Sequence, residues 1–412
     1  MLNGMKVLGL CHYLQGPAAT QYLADLGADV IKVEPLTGAH ERHWAGAKSF
    51  VGDVSSFYLS ANRNKRSLAI DLKTPDGQDI MRRLVARSDA LVENFRPGVL
   101  DRMGLGYEAL KVINPGLIYA SATGFGATGP MRDSPGQDLL IQARCGLAAG
   151  TGERFTAPKV VGAAVVDQHG GSLLAMAVLA AYVKKLATGQ GSRVESSLLN
   201  AGLDLQVEAL VAYNNSDANR DRYRRHHNLA TWFHEAPYGI YETQDQKFVA
   251  IGLNDPTRLA DALGSARLLE LINLDRYDDR DVYAEAVTQA VARLPYAELA
   301  SRFDAQALWY APVQDYEDLK TDPQVLHNQV YHKINLRGHD VTLINNPVRY
   351  EGRPLPVRRV SLQQGSDTLE VLGELGLSAD EIHALVDRKI VMAAPPDSVV
   401  QGQPDAHPGA HS

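Results

Sequence analysis

The opening thirty-four residues constrain the fold more than any other stretch of the chain. Lys6-Val7-Leu8-Gly9-Leu10 is a short apolar run, residues 18–26 carry helical spacing after the Gly16-Pro17 break, and Gly27-Ala28-Asp29 leads into Val30-Ile31-Lys32-Val33-Glu34. Strand, helix and strand within about thirty residues make a βαβ unit, in which the helix carries the chain back so that the two strands run parallel. The pattern then recurs. Pro75 stands at a first-turn position after Thr74, a helix fits to about residue 87, and Ala90-Leu91-Val92-Glu93 reads as the next strand. Short helices fit from Pro97 and over 107–112, and Leu117-Ile118-Tyr119-Ala120-Ser121 is a further strand. The first lobe is expected to be an open, doubly wound α/β sheet.

The chain has 412 residues, more than one hydrophobic core of about 250–300 residues supports, so a second lobe is expected. Residues 160–166 suit another strand, and 172–184 are apolar nearly all round, which predicts a buried helix. The polar stretch 213–228, with Arg220, Arg222, Arg224 and Arg225, reads as a linker. A hairpin (238–243 with 247–252) followed by helical spacing to about 303 predicts a smaller α+β lobe over 229–325. Beyond 326 come β-like runs at 331–336 and 340–343, then an amphipathic helix over 368–385, broken near Gly376. The Pro- and Gly-rich residues 395–412 lack periodicity and read as a disordered tail.

Charge narrows the partners. With 41 basic and 48 acidic residues the net charge is -7, which repels a polyanion and argues against nucleic acid. A small anion remains compatible if cations cluster locally within a Debye length. The sequence contains no run of eighteen consecutive apolar residues, and its N-terminus lacks signal-peptide features, so a cytoplasmic protein with no membrane association is expected. Cys11 and Cys145 form no Cys-x-x-Cys pair and are expected to be buried and reduced.

Val165-Val166-Asp167-Gln168-His169-Gly170-Gly171-Ser172 places a carboxylate where a strand is expected to pass into a helix, the usual ligand edge of an open sheet. Asp167 is ionised at neutral pH and could attack a thioester; Gly170 and Gly171 would admit a ligand to backbone N–H groups. A helix N-cap is the competing reading of Asp167. Arg42, Lys65, Arg66, Lys73, Asn94, Arg96 and Arg102 form a dispersed set near the strand ends, suited to phosphate or simply to solvation. Gly124-Phe125-Gly126-Ala127-Thr128-Gly129-Pro130 has the letters of a dinucleotide fingerprint but runs into Pro130, so it reads as a turn. His226, His227 and His234 match no zinc spacing, and no metal is expected.

Taken together, these stretches resemble the class III CoA-transferases, also called the CaiB/BaiF or L-carnitine dehydratase/bile-acid-inducible protein family. The resemblance spans nearly the whole chain. It rests on Gly16-Pro17, on Ala24-Asp25-Leu26-Gly27-Ala28-Asp29 with the strand after it, and on Asn62-Arg63-Asn64-Lys65-Arg66-Ser67. Asp71-Leu72-Lys73, Glu93-Asn94-Phe95-Arg96-Pro97-Gly98, Asp101-Arg102-Met103-Gly104, Gln142-Ala143, Thr188-Gly189-Gln190-Gly191 and Glu374-Leu375-Gly376 extend it.

The resemblance implies a catalytic Asp167 that forms an acyl anhydride and then an aspartyl-CoA thioester. CoA contacts would fall on Gly16, Lys73, Asn94, Arg96 and Arg102, and the substrate pocket on Gln15, Gln137, Asp138, Gly170 and Gly171. Coenzyme A or acyl-CoA would be a substrate, beside a small carboxylate acceptor, with no tightly bound cofactor. The implied fold is a ring-like subunit of an interlocked homodimer, with a large Rossmann-like lobe from both chain ends (1–212 and 326–394) and a smaller α+β lobe. Formyl-CoA transferase members carry an arginine and two tyrosines where this chain has Pro35, Phe57 and Gln137, which argues against oxalate and formate specificity. An α-methylacyl-CoA racemase of the same superfamily is the alternative, but it needs an acid/base histidine where Gln137 stands. A nicotinamide-dependent oxidoreductase would need a glycine fingerprint between residues 10 and 16, and there is none. A noncatalytic CoA-binding protein is the remaining reading.

Overall fold

The computed structural model describes residues 1–153, 156–217 and 224–395. The chain packs as two compact units: one comprises Met1–Ile141, Ala164–Ala201 and the chain from Pro323 onward, the other Gln142–Ala163 and Gly202–Asp322. The second unit takes in more chain than the 229–325 read from sequence. Residues 218–223 of the expected linker, and the expected tail from 396, lie outside the described residues.

In the first unit, β1 (Lys6–Leu10), β2 (Asp29–Glu34), β3 (Lys65–Ile70), β4 (Ala90–Glu93), β5 (Ile118–Thr123), β6 (Ser192–Ser197) and β7 (Val391–Met392) form one sheet, ordered β7-β3-β2-β1-β4-β5-β6. All pairings are parallel except that of β7, which runs antiparallel to β3. The order reverses between β1 and β4, and in doubly wound sheets a crevice opens at the carboxyl ends of such a strand pair. Alternate strand residues face opposite sides. Val7, Val30, Val92 and Ala120 pack with Leu23 of α1 (Gln15–Asp25) and with Leu174 and Val178 of α2 (Val165–Thr188). Leu8, Leu10, Val33 and Leu91 pack on the other face with Ile80, Met81 and Leu84 of the helix Pro75–Val85 and with Val371 and Leu372.

Three strands of this sheet were not evident from the sequence, β3, β6 and the two-residue β7. β3 opens Lys65-Arg66-Ser67, and its charges are buried only because partners meet them: Arg66 pairs with Asp29 (2.5 Å), Glu370 (3.1 Å) and Glu374 (2.8 Å). β6 mixes charged and small residues at the sheet edge. The strand expected over 160–166 does not form; Val165 already opens α2, because a distant carboxylate satisfies that helix's first N–H groups. Nor is α2 buried all round. Met176, Val183 and Leu186 are 61%, 67% and 70% exposed, opposite the face that packs on the sheet. By length and composition α2 could cross a membrane, but its other face covers the core of this unit. The late helical stretch divides as expected, into Thr368–Glu374 and Ala379–Asp387, around Gly376 at φ +86°.

The second unit carries an antiparallel sheet of Gly239–Glu242, Phe248–Ile251 and Tyr310–Pro312. Tyr241, Val249 and Ile251 pack against Leu259, Tyr283, Val287 and Phe303 of its helices.

The residues after 340 are fastened to the first unit through Asp25. Its carboxylate accepts from Arg63 (2.6 and 3.0 Å), Asn64 (2.8 Å) and Asn346 (3.1 Å), while Arg63 also donates to the Ile344 carbonyl (2.7 Å). Asp25→Ala is expected to leave a buried guanidinium unpaired and cost about 3–5 kcal/mol, read by chemical denaturation.

Candidate functional site

Asp167 lies in the first turn of α2 and is not its N-cap; Ala164 holds that position without a side-chain bond. Asp138 caps the helix instead, its Oδ2 accepting from the N–H groups of Val166 (2.8 Å) and Asp167 (3.0 Å). The helix end would ordinarily favour an anion. Here burial, and then the charge of Asp138, push the Asp167 carboxyl up from 3.8 to about 7. A carboxylate in that state is more basic, and so more nucleophilic, than a solvated one.

On a helix, positions i, i+3 and i+4 share a face, so Gly170 and Gly171 follow Asp167 along one side of α2. That side meets α1. A Cβ at Gly171 would stand 2.9 Å from the Gln15 carbonyl and 3.0 Å from the Ala18 methyl; one at Gly170 would stand 2.9 Å from Gln15 Nε2. The two glycines therefore permit helix contact. Being inside α2, they do not offer free N–H groups, which corrects the oxyanion role expected of them. A donor is nonetheless present. Gln15 is 4% exposed and its Nε2 has no hydrogen-bond partner among the described residues. An unsatisfied buried amide is costly, which makes this one a candidate donor to a ligand atom.

Asp138 is placed by a backbone crossing. A Cβ at Gly136 would lie 2.5 Å from the Gly124 Cα, so the loop after β5 and the segment entering Asp138 touch through two glycines. The Gly124–Pro130 loop has Gly126 and Gly129 at φ +109° and +89°, as a tight turn requires. Gln137 beside Asp138 is exposed.

The family profile of CoA-transferase family III matches residues 2–368. The chain belongs to that family. It is 32% identical to a human succinyl-CoA:glutarate CoA-transferase, over 91% of this chain and 86% of that one. It is 33% identical to a succinate–glutarate CoA-transferase of Agrobacterium fabrum, over 91% and 95%. The crystal structure of a CaiB/BaiF family protein from Brucella suis superposes with a TM-score of 0.76 at 30% identity, covering 91% of this chain and 99% of that one.

In this family III chain the proposed cations divide into two groups. Arg42 is buried and bidentate to Glu34 (2.7 and 2.8 Å), Lys65 donates only to the Pro17 and Ala61 carbonyls and to Asn62, and Arg66 holds its three carboxylates. None of these is presented to a phosphate. Lys73, Arg96 and Arg102 are exposed. A Cβ at Gly98 would lie 3.4 Å from Arg102 Nη1 and 3.9 Å from Arg132 Nη2, so Gly98 leaves room between two guanidinium groups. Arg96 and Arg132 also line a cleft of about 230 Å³ beside β4 and β5. Arg132 was not singled out from sequence, since nothing local separates it from a surface arginine. The Asn94 amide is spent on His12, accepting its N–H (3.0 Å) and donating to its carbonyl (2.7 Å), while Gly16 packs on Cys11 and Asn94.

The other reactive side chains are occupied. Burial pushes the Cys11 thiol up to about 12, and its Sγ donates to the Val92 carbonyl; Cys145 is buried against Gln142 and Gln206. His226 pairs with Glu285, the His227 ring lies tilted against that of His226, and His234 bonds Thr231.

Gly171→Val should force α1 away from α2, lowering stability by about 2 kcal/mol and activity with it; thermal melts and initial rates on the same preparation check this.

Proposed function

We propose that this protein transfers CoA from an acyl-CoA donor to a carboxylic acid, with Asp167 as the covalent nucleophile. The observation that carries this reading is the pairing of a basic, half-buried carboxylate with an unpartnered buried amide on the facing helix. Asp167 attacks the thioester carbonyl, the C–S bond breaks, and CoA leaves as thiolate from an acyl-aspartyl anhydride. The thiolate then attacks the aspartyl carbonyl, releasing the donor acid and leaving an aspartyl-CoA thioester. The acceptor carboxylate displaces CoA to form a second anhydride, and the returning thiolate attacks its acyl carbonyl, restoring Asp167. Each step builds negative charge on a carbonyl oxygen, for which the Gln15 Nε2–H is the prepared donor. Lys73, Arg96 and Arg102, joined by Arg132, would hold the CoA phosphates, with the thioester beside Gly16.

The relatives named above support a dicarboxylic acceptor of the glutarate or succinate class. The reading includes a homodimer, supported by the open apolar face of α2 at Met176, Val183 and Leu186, which would be covered in such an assembly.

Incubation with succinyl-CoA should leave a hydroxylamine-sensitive adduct on Asp167, detected by peptide mass spectrometry. Asp167→Ala should lower turnover with succinyl-CoA and glutarate by at least about a thousandfold; full retention of activity refutes the mechanism. Because the working form is the carboxylate and its proton leaves at about pH 7, the rate should fall as pH drops below 7. Asp138→Asn removes the neighbouring negative charge, so the acid limb of the pH–rate profile should move to lower pH.

A further inference from the structure

Side chains from β2, from β3 and from the residue after β4 converge on the backbone between the end of β1 and the first turn of α1. From β2, Lys32 Nζ donates to the Cys11 carbonyl (2.9 Å) and to Glu41 Oε1 (2.8 Å), and Glu41 Oε2 accepts the Tyr13 N–H (3.3 Å). From β3, Lys65 Nζ donates to the Pro17 carbonyl (2.8 Å), the Ala61 carbonyl (2.7 Å) and Asn62 Oδ1 (2.9 Å). Asn94, directly after β4, holds the backbone N–H and carbonyl of His12. Residues 11–17 are thereby held at both ends and in the middle, and Gln15 lies within that span.

Lys32, Glu41 and Lys65 are each nearly sealed from solvent, at 2%, 0% and 2% exposure. Burying ammonium groups is an expensive way to stabilise a core, because apolar side chains of the same volume do as well or better. What the lysines supply and a methionine cannot is a directional donor to the Cys11 and Pro17 carbonyls. The consequence falls on the Gln15 amide, whose buried Nε2 has no hydrogen-bond partner among the described residues.

We propose that Lys32, Glu41 and Lys65 are positioning residues for CoA transfer, which fix the backbone of residues 11–17 so that the Gln15 amide meets the oxyanion formed at Asp167. This rests on the reading of Asp167 and Gln15 given above. Neither lysine touches substrate, so the thioester binds as before while the chemical step slows.

The test is a double-mutant cycle on the full-length protein with succinyl-CoA and glutarate. Lys65→Met should lower kcat by about 30-fold or more while the KM for succinyl-CoA stays within about twofold, the cost of misplacing a catalytic group by a fraction of an ångström. In a Gln15→Ala background, Lys65→Met should cost almost nothing further, because the group it positions is gone. Equal losses in both backgrounds, or a KM effect with kcat unchanged, would overturn the proposal. Glu41→Gln, which keeps size and an acceptor, runs the same cycle if Lys65→Met does not fold. Hydroxylamine trapping on the wild-type protein separates the two levels. No Asp167 adduct removes the underlying reading, whereas an adduct with an additive cycle removes only the role of the buried residues.

Discussion

Buried pairing of arginines with the carboxylates of the first βαβ unit underlies the rest of the first unit. Asp25 ends α1, Asp29 and Glu34 bound β2, and Arg63, Arg66 and Arg42 meet them in that order. Each arginine reaches further. Arg63 donates to the Ile344 carbonyl, Arg42 to the Ser361 and Leu362 carbonyls, and Arg66 to Glu370 and Glu374. Burial alone would raise the Glu34 carboxyl, but the charge and hydrogen bonds of Arg42 bring it down to about 2. A depressed carboxyl stabilises the fold above its ordinary pKa and ceases to do so only as pH falls towards 2. The late residues are therefore fastened by charge-assisted bonds across neutral pH, where an apolar seam alone would specify no register.

Asp167 presents the opposite electrostatic case. Its carboxyl is raised, so its ionisation opposes folding; that opposition is absent below the ordinary carboxyl pKa and complete once pH passes about 7. Asp138 contributes both to the cost and to its containment, since the same carboxylate that repels Asp167 also satisfies the first N–H groups of α2. Stability is given up at the proposed nucleophile and recovered in the ion pairs of the sheet, a division common in enzymes.

Much of the sheet was legible because β1, β2, β4 and β5 are apolar runs bounded by turn residues. β3 was not, because Lys65 and Arg66 look like surface residues until Asp29, Glu370 and Glu374 are brought to them from distant sequence. The same gap left Arg42, Lys65 and Arg66 open between phosphate binding and solvation, when their partners lie inside the fold: a cation's partner is a tertiary fact. Asp167 was singled out by resemblance, but its place inside a helix was hidden, because Val165-Val166 favours a strand locally and the cap that overrides it comes from residue 138. The free amide of Gln15 could not be read at all, since hydrogen-bond satisfaction depends on every neighbour at once.

The antiparallel pairing of β7 with β3 also bears on how the chain is made. During synthesis from the N-terminus, β3 is available long before Val391–Met392, and in that interval its outer row of N–H and C=O groups is an open edge. The arginines that will bind the late segments are likewise present before their partners. A nascent chain therefore passes through a stage in which a nearly complete parallel sheet offers an unpaired strand beside unmatched charge. The polar opening of β3, Lys65-Arg66-Ser67, then acts as a guard against pairing with another copy, a task distinct from any it performs once folding ends.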